Sequence, residues 1–391
     1  MTRAIDRRRF LAGAGAAAAG VALATGTSWW RGAFAQPAVP GPGPYGPLAT
    51  QPDANGLLLP KGFKSRVIGI SGEPVAGTDY VWHPFPDGGA TFRAPGGGWV
   101  YVSNSEMPTP GAGGVGAVRF AGDGRITDAY RILDGTRNNC AGGPTPWKTW
   151  LSGEEFAEGH IWECDPTQPG QGTELPALGT FSHEAAAVDP VGKAVYLTED
   201  DGEGRLYRFV SDDYPDLGAG TLQAAHVDGG GRVTWVDVSP DVPERSGATT
   251  AFDGGEGMVY DRGTVVFTTK GDDKVWALDP KRSRIEVLYD ASAHPDPPLT
   301  GVDNITVHPR TRDFYVAEDS GNLEVVLITQ PKGRRAGQVA PVARVSGPES
   351  SELAGVAFDP SGRRLYVSSQ RQGRDSQGGP GITFEIRGPF T

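Results

Sequence analysis

The chain has 391 residues, 38% of them apolar and 21% charged, with 58 glycines, 33 prolines and two cysteines. A chain of this length can bury its own core without a disulfide scaffold. Its formal net charge of −11 argues against nucleic acid as a partner, because phosphate backbones select basic faces.

The first segment reads "DRRRFLAGAGAAAAGVALATGTSWWRGAFAQ". Arg7-Arg8-Arg9 precede Phe10-Leu11, an Ala/Gly-rich run follows to about Thr25, and Ala33-Phe34-Ala35 offers a small-residue cleavage pattern. That is the layout of an export signal. The paired arginines before Phe-Leu predict the twin-arginine (Tat) route over residues 1–35, with the Tat machinery as a partner. The location expected is periplasmic or secreted. A Tat substrate crosses the membrane folded, which suits a protein loaded with its cofactor beforehand. Arg3, Arg7, Arg8, Arg9 and Arg31 outweigh Asp6 by four charges, so the rest of the chain stands at −15. No later run approaches the ~18 apolar residues of a membrane span, so no stable membrane association is expected, and the mature protein is expected to be a monomer. Such an acidic chain repels anionic substrates unless bound cations reverse the local field. Residues 36–60 are Pro-rich and read as an extended lead-in.

From residue 61 to 391 the sequence predicts one all-β domain. Short runs such as "WVYVSN", "AVYLTED", "TVVFTTK", "DFYVAED" and "RLYVSSQ" alternate with Gly/Pro/Asp turns, the pattern of many short antiparallel strands. Four segments repeat: "HEAAAVDPVGKAVYLTEDD", "GEGMVYDRGTVVFTTKGDD", "VDNITVHPRTRDFYVAEDS" and "LAGVAFDPSGRRLYVSSQR". "NCAGGPTPWKTWLSGEE" fits the same plan, and "TFRAPGGGWVYVSNSE" is a looser copy. Six copies in an all-β chain predict a six-bladed β-propeller with a metal site in its central channel.

The channel site follows from the alignment. Six positions before the turns at Pro146, Pro190, Arg262, Pro309 and Pro360 stand Cys140, Glu184, Glu256, Asp303 and Ala354. After the second strand come Glu154-Glu155, Glu199-Asp200-Asp201, Lys270 with Asp272-Asp273, Glu318-Asp319 and Ser368-Ser369-Gln370, with Asn104 and Glu106 from the first copy. Equivalent positions in blades share a radius and a height, so these groups should converge. Uncompensated carboxylates would repel or stay protonated, and bound cations relieve that. Acids also decorate turns, and Asp201, Glu203, Asp272 and Asp273 read that way. His183 reads as a support beside Glu184, and Trp147 and Trp150 as fillers between blades. Lys270 breaks the acidic register, either to neutralise an anion or to pair with a ring acid. Calcium takes oxygen ligands whereas a thiolate suits iron, zinc or copper, so Cys140 among carboxylates predicts a mixed site. A Cys140–Cys164 disulfide is the competing reading.

The motifs "NNCAGGPTPWKTWLSGEE", "ALGTFSHEAAAVDP", "VYLTEDDGEGRLYRF" and "TKGDDKVWALDP" resemble those of PhoX-type alkaline phosphatases and their shorter relatives, over nearly the whole mature chain. The resemblance implies a propeller whose channel holds ferric iron and calcium (Fe3+ and Ca2+) and removes phosphate from small phosphoesters. It places iron on Cys140 and assigns metal-binding glutamates to Glu154 or Glu155 and to Glu184, with Glu256 and Glu318 as later ring acids. Asp303 and Asn304 complete the expected metal set. Lys270 and Arg371, with Arg137, are the cations available to a phosphate. Gly-Glu-Glu stands where Cys-Glu-Glu is frequent in that family, and this chain is shorter than its well-known members. Two other readings stay open: a single-calcium lactonase or esterase of the gluconolactonase-like kind, which "DNITV" would suit, and a non-catalytic, metal-stabilised propeller.

Overall fold

The structure is a computed structural model that describes residues 37–170, 172–330, 336–347, 351–371 and 380–390. The export-signal reading of residues 1–35 lies outside them.

Six antiparallel sheets form six blades. Blade 1 runs through Pro86–Arg93, Trp99–Ser105, Gly113–Phe120 and Ile126–Thr136. Blade 2 begins at Asn139–Pro144 and Trp150–Glu154, blade 3 at His183–Asp189 and Ala194–Glu199, and blade 4 at Gly255–Asp261 and Thr264–Thr269. Blade 5 begins at Val302–Val307 and Phe314–Glu318. Blade 6 takes Leu353–Phe358, Arg364–Ser369 and Ile382–Arg387 from the C-terminal end and its outer strand, Lys64–Ile70, from the N-terminal end. That pairing closes the ring with main-chain hydrogen bonds between distant parts of the chain. The Pro-rich lead-in is not free-standing. Its Val39–Pro40 and Leu57–Leu58 both pair with Gln338–Val345 on the edge of blade 5, which covers a strand edge that would otherwise be open.

The core is not on the axis. Six apolar clusters each fill the wedge between two successive blades. Strands such as Ala194–Glu199 and Arg364–Ser369 are buried along their whole length, because both faces of a blade meet a neighbouring sheet. Trp150 is buried in the wedge between blades 1 and 2, and Trp147 in that between blades 2 and 3. The axis is thereby left to the inner strands, with small and apolar residues such as Ala186, Met258, Ile305 and Val356 lining its deeper part.

Every inner strand carries one extra residue against its neighbour. Register slips by one between Pro86 and Gly89, Asn139 and Gly142, His183 and Ala186, Gly255 and Met258, and Val302 and Ile305. In blade 6 the slip lies between Ala354 and Ala357. Bulges of this kind bend a strand and re-aim its side chains.

Candidate metal centre

The bulges build the first ring. Asp87, Cys140, Glu184, Glu256 and Asp303 are each the second residue of an inner strand and fall in its unpaired stretch. Blade 6 has Ala354 as its second residue, paired with Ser368, and Glu352, just ahead of its strand, supplies the carboxylate instead. A second ring comes from the residue following each second strand: Glu106, Glu155, Asp200, Lys270, Asp319 and Gln370.

Three sets of ligand atoms come together, each within 4.8 Å: Cys140 with Glu155 and Glu184; Glu184 with Glu256 and Asp303; and Asp87 with Glu106 and Glu352. Glu184 belongs to two sets, so the first two are continuous. The other predicted residues fall around them. Asn304 donates its amide to Asp303 Oδ1 at 2.8 Å and lies 3.4 Å from Glu184 Oε1, while its oxygen accepts from Gly355 N–H at 2.7 Å. Lys270 Nζ sits 2.6 Å from Glu256, 3.3 Å from Asp319 and 3.6 Å from Asp200. Arg371 lies 3.0 Å from Glu352 and 3.6 Å from Glu106. Gln370 Nε2, with two N–H groups to give, lies 2.6–2.8 Å from carboxylate oxygens of Asp87, Glu106 and Glu352. Arg137 stands aside, bonded to Pro108 O and stacked on Phe156.

Glu154 and Glu318 are placed elsewhere. Glu154 accepts from Arg137 N, His160 N and Trp162 Nε1. Glu318 accepts from Thr300 N and Glu324 N. Each ends its strand opposite the first residue of the inner strand, and its carboxylate ties down local loops. Successive side chains on a strand point to opposite faces, so Glu155 and Asp319, one residue on, occupy the second ring. The repeat alignment reaches neither Asp87 nor Glu352. Six positions before Pro95 lies Gly89, because the inner strand of blade 1 is longer. The doublet Glu352-Leu353 at the start of the sixth copy is the signal for Glu352.

The shared position is held by ties between blades. Asn104, in blade 1, donates to Cys140 O and Ala141 O at 3.0 and 2.8 Å and accepts from Trp150 Nε1. Thr198 donates to Glu256 O, and Thr268 to Asp303 O. Below the ring the inner strands carry small residues. A Cβ on Gly257 would lie 2.5 Å from Ile305 N, and one on Gly88 2.5 Å from Ala141 Cα, so glycine lets neighbouring blades approach at this waist.

Burial dominates the electrostatics. It raises Asp87, Glu184 and Asp303 well above the usual carboxylate range, and neighbouring acids push them further. Glu155 rises to about 9 by burial and by Glu106, Asp200 and Glu256. Glu256 rises to about 8 by burial, against the pull of Lys270, and Glu352 to about 7. The buried thiol of Cys140 is pushed well up by desolvation and by the surrounding carboxylates. Burial disfavours the Lys270 ammonium, but Glu256, Asp200 and Asp303 outweigh it and hold the charge. Without cations, then, this mouth holds protons that ordinary carboxylates lose at neutral pH. His183 is neutral. Burial lowers it to about 3, Nε2 meets Gly179 O, and the ring stacks on Phe181 at 3.7 Å. Both cysteines are free and buried. Cys164 lies two strands out from Cys140, in the wedge between blades 1 and 2.

The residues present fit a mixed metal site. Glu184 Oε2 is buried with no hydrogen-bond partner, an expensive state for a carboxylate oxygen that a cation would resolve. A thiol among carboxylates suits a transition ion beside harder cations.

A family model for alkaline phosphatase PhoX matches residues 100–159 and 156–283. Among solved structures, Pseudomonas fluorescens PhoX in complex with vanadate, a transition state analogue, superposes with a TM-score of 0.69 at 17% identity, covering 87% of this chain and 97% of that one. A protein of unknown function from Bacteroides thetaiotaomicron gives a TM-score of 0.52 at 9% identity, over 83% of this chain and 76% of that one. No curated protein sequence matches. At these identities the structural likeness is one of fold. The family match runs from the second strand of blade 1 into blade 4, and so spans Asn104, Cys140, Glu155, Glu184, Glu256 and Lys270. The chain is thus similar to PhoX-type alkaline phosphatases, in sequence over residues 100–283 and in propeller fold over 87% of its length.

Proposed function

We propose that the protein is an exported, metal-dependent phosphoester hydrolase acting on small phosphoesters at the channel mouth. The observation that carries this reading is the convergence of Cys140, Glu155, Glu184, Glu256 and Asp303, from four blades, on one buried locus. Cys140, Glu155 and Glu184 would hold a transition ion, for which Fe3+ is the expected identity. Glu184, Glu256 and Asp303, and separately Asp87, Glu106 and Glu352, would hold harder cations, for which Ca2+ is expected. Such ions, when bound, draw in phosphoryl oxygens and make a water nucleophilic at moderate pH. The chain's own residues set the stage. Lys270 and Arg371 keep fixed positive charges at the rim, each oriented by two or more carboxylates, and neutralise the oxygens of an entering phosphoester. Asn304 fixes the directions of Asp303 and Glu184, and Asn104 fixes the backbone of Cys140. Residues 1–35 carry the protein out by the Tat route, so that it leaves the cytoplasm with its metals in place.

The test is metal analysis together with phosphomonoester turnover of the exported protein. Glu184→Ala, Glu256→Ala and Cys140→Ser should each lose metal and lower turnover by about a hundredfold or more, in line with loss of metal-held transition-state stabilisation. Cys164→Ser and the exposed Glu203→Ala should keep both. Full metal content without turnover on any phosphoester would overturn the reading.

A further inference from the structure

At the other end of the propeller, where blade 6 closes against blade 1, four guanidinium groups gather on a strongly acidic chain. Arg66, Arg125, Arg364 and Arg387 line one open cavity of about 430 Å³, together with Ala76, Asp123, Gly124 and Ile126. Arg66 comes from the N-terminal strand that completes blade 6, Arg364 and Arg387 from its C-terminal strands, and Arg125 from a turn of blade 1. The cavity therefore exists only once the ring has closed.

Two of the four are held rigidly. Glu385, fully buried, lies 2.7 Å from Arg66 Nη2 and 3.8 Å from Arg364 Nε. Arg66 Nη2 also donates to Gly124 O, and Arg364 Nη2 to Asp123 O. Arg364 stacks over Trp99 at 5.3 Å and Arg66 over Phe120 at 5.8 Å. Gly124 has φ +89, and a Cβ there would lie 2.4 Å from Arg364 Nη2, so the turn is closed down on the guanidinium. Among the described residues no hydrogen bond is made by Nη1 of either arginine, and no ion pair by Arg125 or Arg387. Asp123 is the one carboxylate of the lining, and its Oδ1 accepts from Arg125 N.

Four cations against Asp123 and Glu385 leave a net positive cavity on a chain that is otherwise acidic. Guanidinium forks bind tetrahedral oxyanions in bidentate fashion, and they do so best when pre-oriented. We infer that this cavity is a second anion site, separate from the channel mouth, that takes a tetrahedral oxyanion: a free phosphate or sulfate, or such a group at the end of a larger molecule.

The test titrates the exported, metal-loaded protein with inorganic sulfate and with glucose 6-sulfate by calorimetry, and follows phosphoester turnover in parallel. The wild type should bind saturably, and Arg125→Ala/Arg387→Ala should weaken that binding by at least about tenfold while turnover is kept. Those two side chains are exposed and unbonded, so the variant should fold. Asp123→Asn should tighten binding by several-fold. Tighter binding of glucose 6-sulfate, despite its single charge, assigns the site to a conjugated group, and equal or weaker binding assigns it to the free ion. No saturable binding, or binding undiminished in the double variant and hence located in the channel, would overturn the inference.

Discussion

Glu154 and Glu155 are neighbours in sequence and sit on opposite sides of a strand end. Glu154 accepts three hydrogen bonds from the loops around it. Its replacement by alanine leaves three half-buried donors without this partner, at up to roughly 1 kcal/mol apiece. Glu154→Ala should therefore melt at a lower temperature yet bind as much metal per folded molecule. Glu155→Gln should do the reverse. Its carboxylate faces the ring and, without metal, keeps its proton to about pH 9. The amide should lose metal and leave the chelated protein at pH 9–10 as stable as the wild type or more so. Melting curves and metal content of the two variants, side by side, check both halves. Equal loss of metal from both would mean that strand alternation does not decide which acid binds.

At the scale of the element, the bulge in each inner strand and the side chain that ties it to the next blade act together. Asn104 bonds the carbonyls of Cys140 and Ala141 and receives Trp150 Nε1, although it touches no expected metal. Asn104→Leu leaves those three buried groups unpaired and frees the bulge that aims Cys140. Supporting residues of this kind typically tune metal affinity by ~10–100-fold. The expected outcome is weaker binding of the transition ion at the Cys140 set and a lower melting temperature, with the ions at Asp87, Glu106 and Glu352 retained. Metal titration followed by the thiolate absorption band reads the first effect alone. Unchanged affinity would assign Asn104 a packing role only.

At the scale of the whole molecule, the clustered acids link stability to pH. Glu155, Glu256 and Glu352 have folded-state values of about 9, 8 and 7, above those of ordinary carboxylates. The folded chain thus holds protons that the unfolded chain has released, and its stability must fall as pH rises through this window. The chelated protein should be most stable near pH 5 and lose stability steadily to pH 9. Added calcium should restore it most at the alkaline end, where the carboxylates are free to bind. A flat melting profile of the chelated protein from pH 5 to 9 would mean that these groups do not share a buried site.

The sequence by itself determined the six-fold repeat, the all-β class and the first ring, because blades built alike put equal repeat positions at equal radius. Cys140, Glu184, Glu256 and Asp303 are legible for that reason, as is the thiol–carboxylate chemistry. It could not decide between Glu154 and Glu155, or between Glu318 and Asp319. Which of two adjacent acids faces the axis depends on where the strand stops pairing, and that is set by register. Nor could it find Asp87, displaced by a longer strand, or Glu352, which fills a vacancy left by alanine. The pairing of Lys270 with acids from its own blade and two others, and the gathering of Arg66, Arg125, Arg364 and Arg387 at the closure seam, were decided by tertiary structure alone. Both join residues far apart in the chain, and only ring closure brings them within reach of one another.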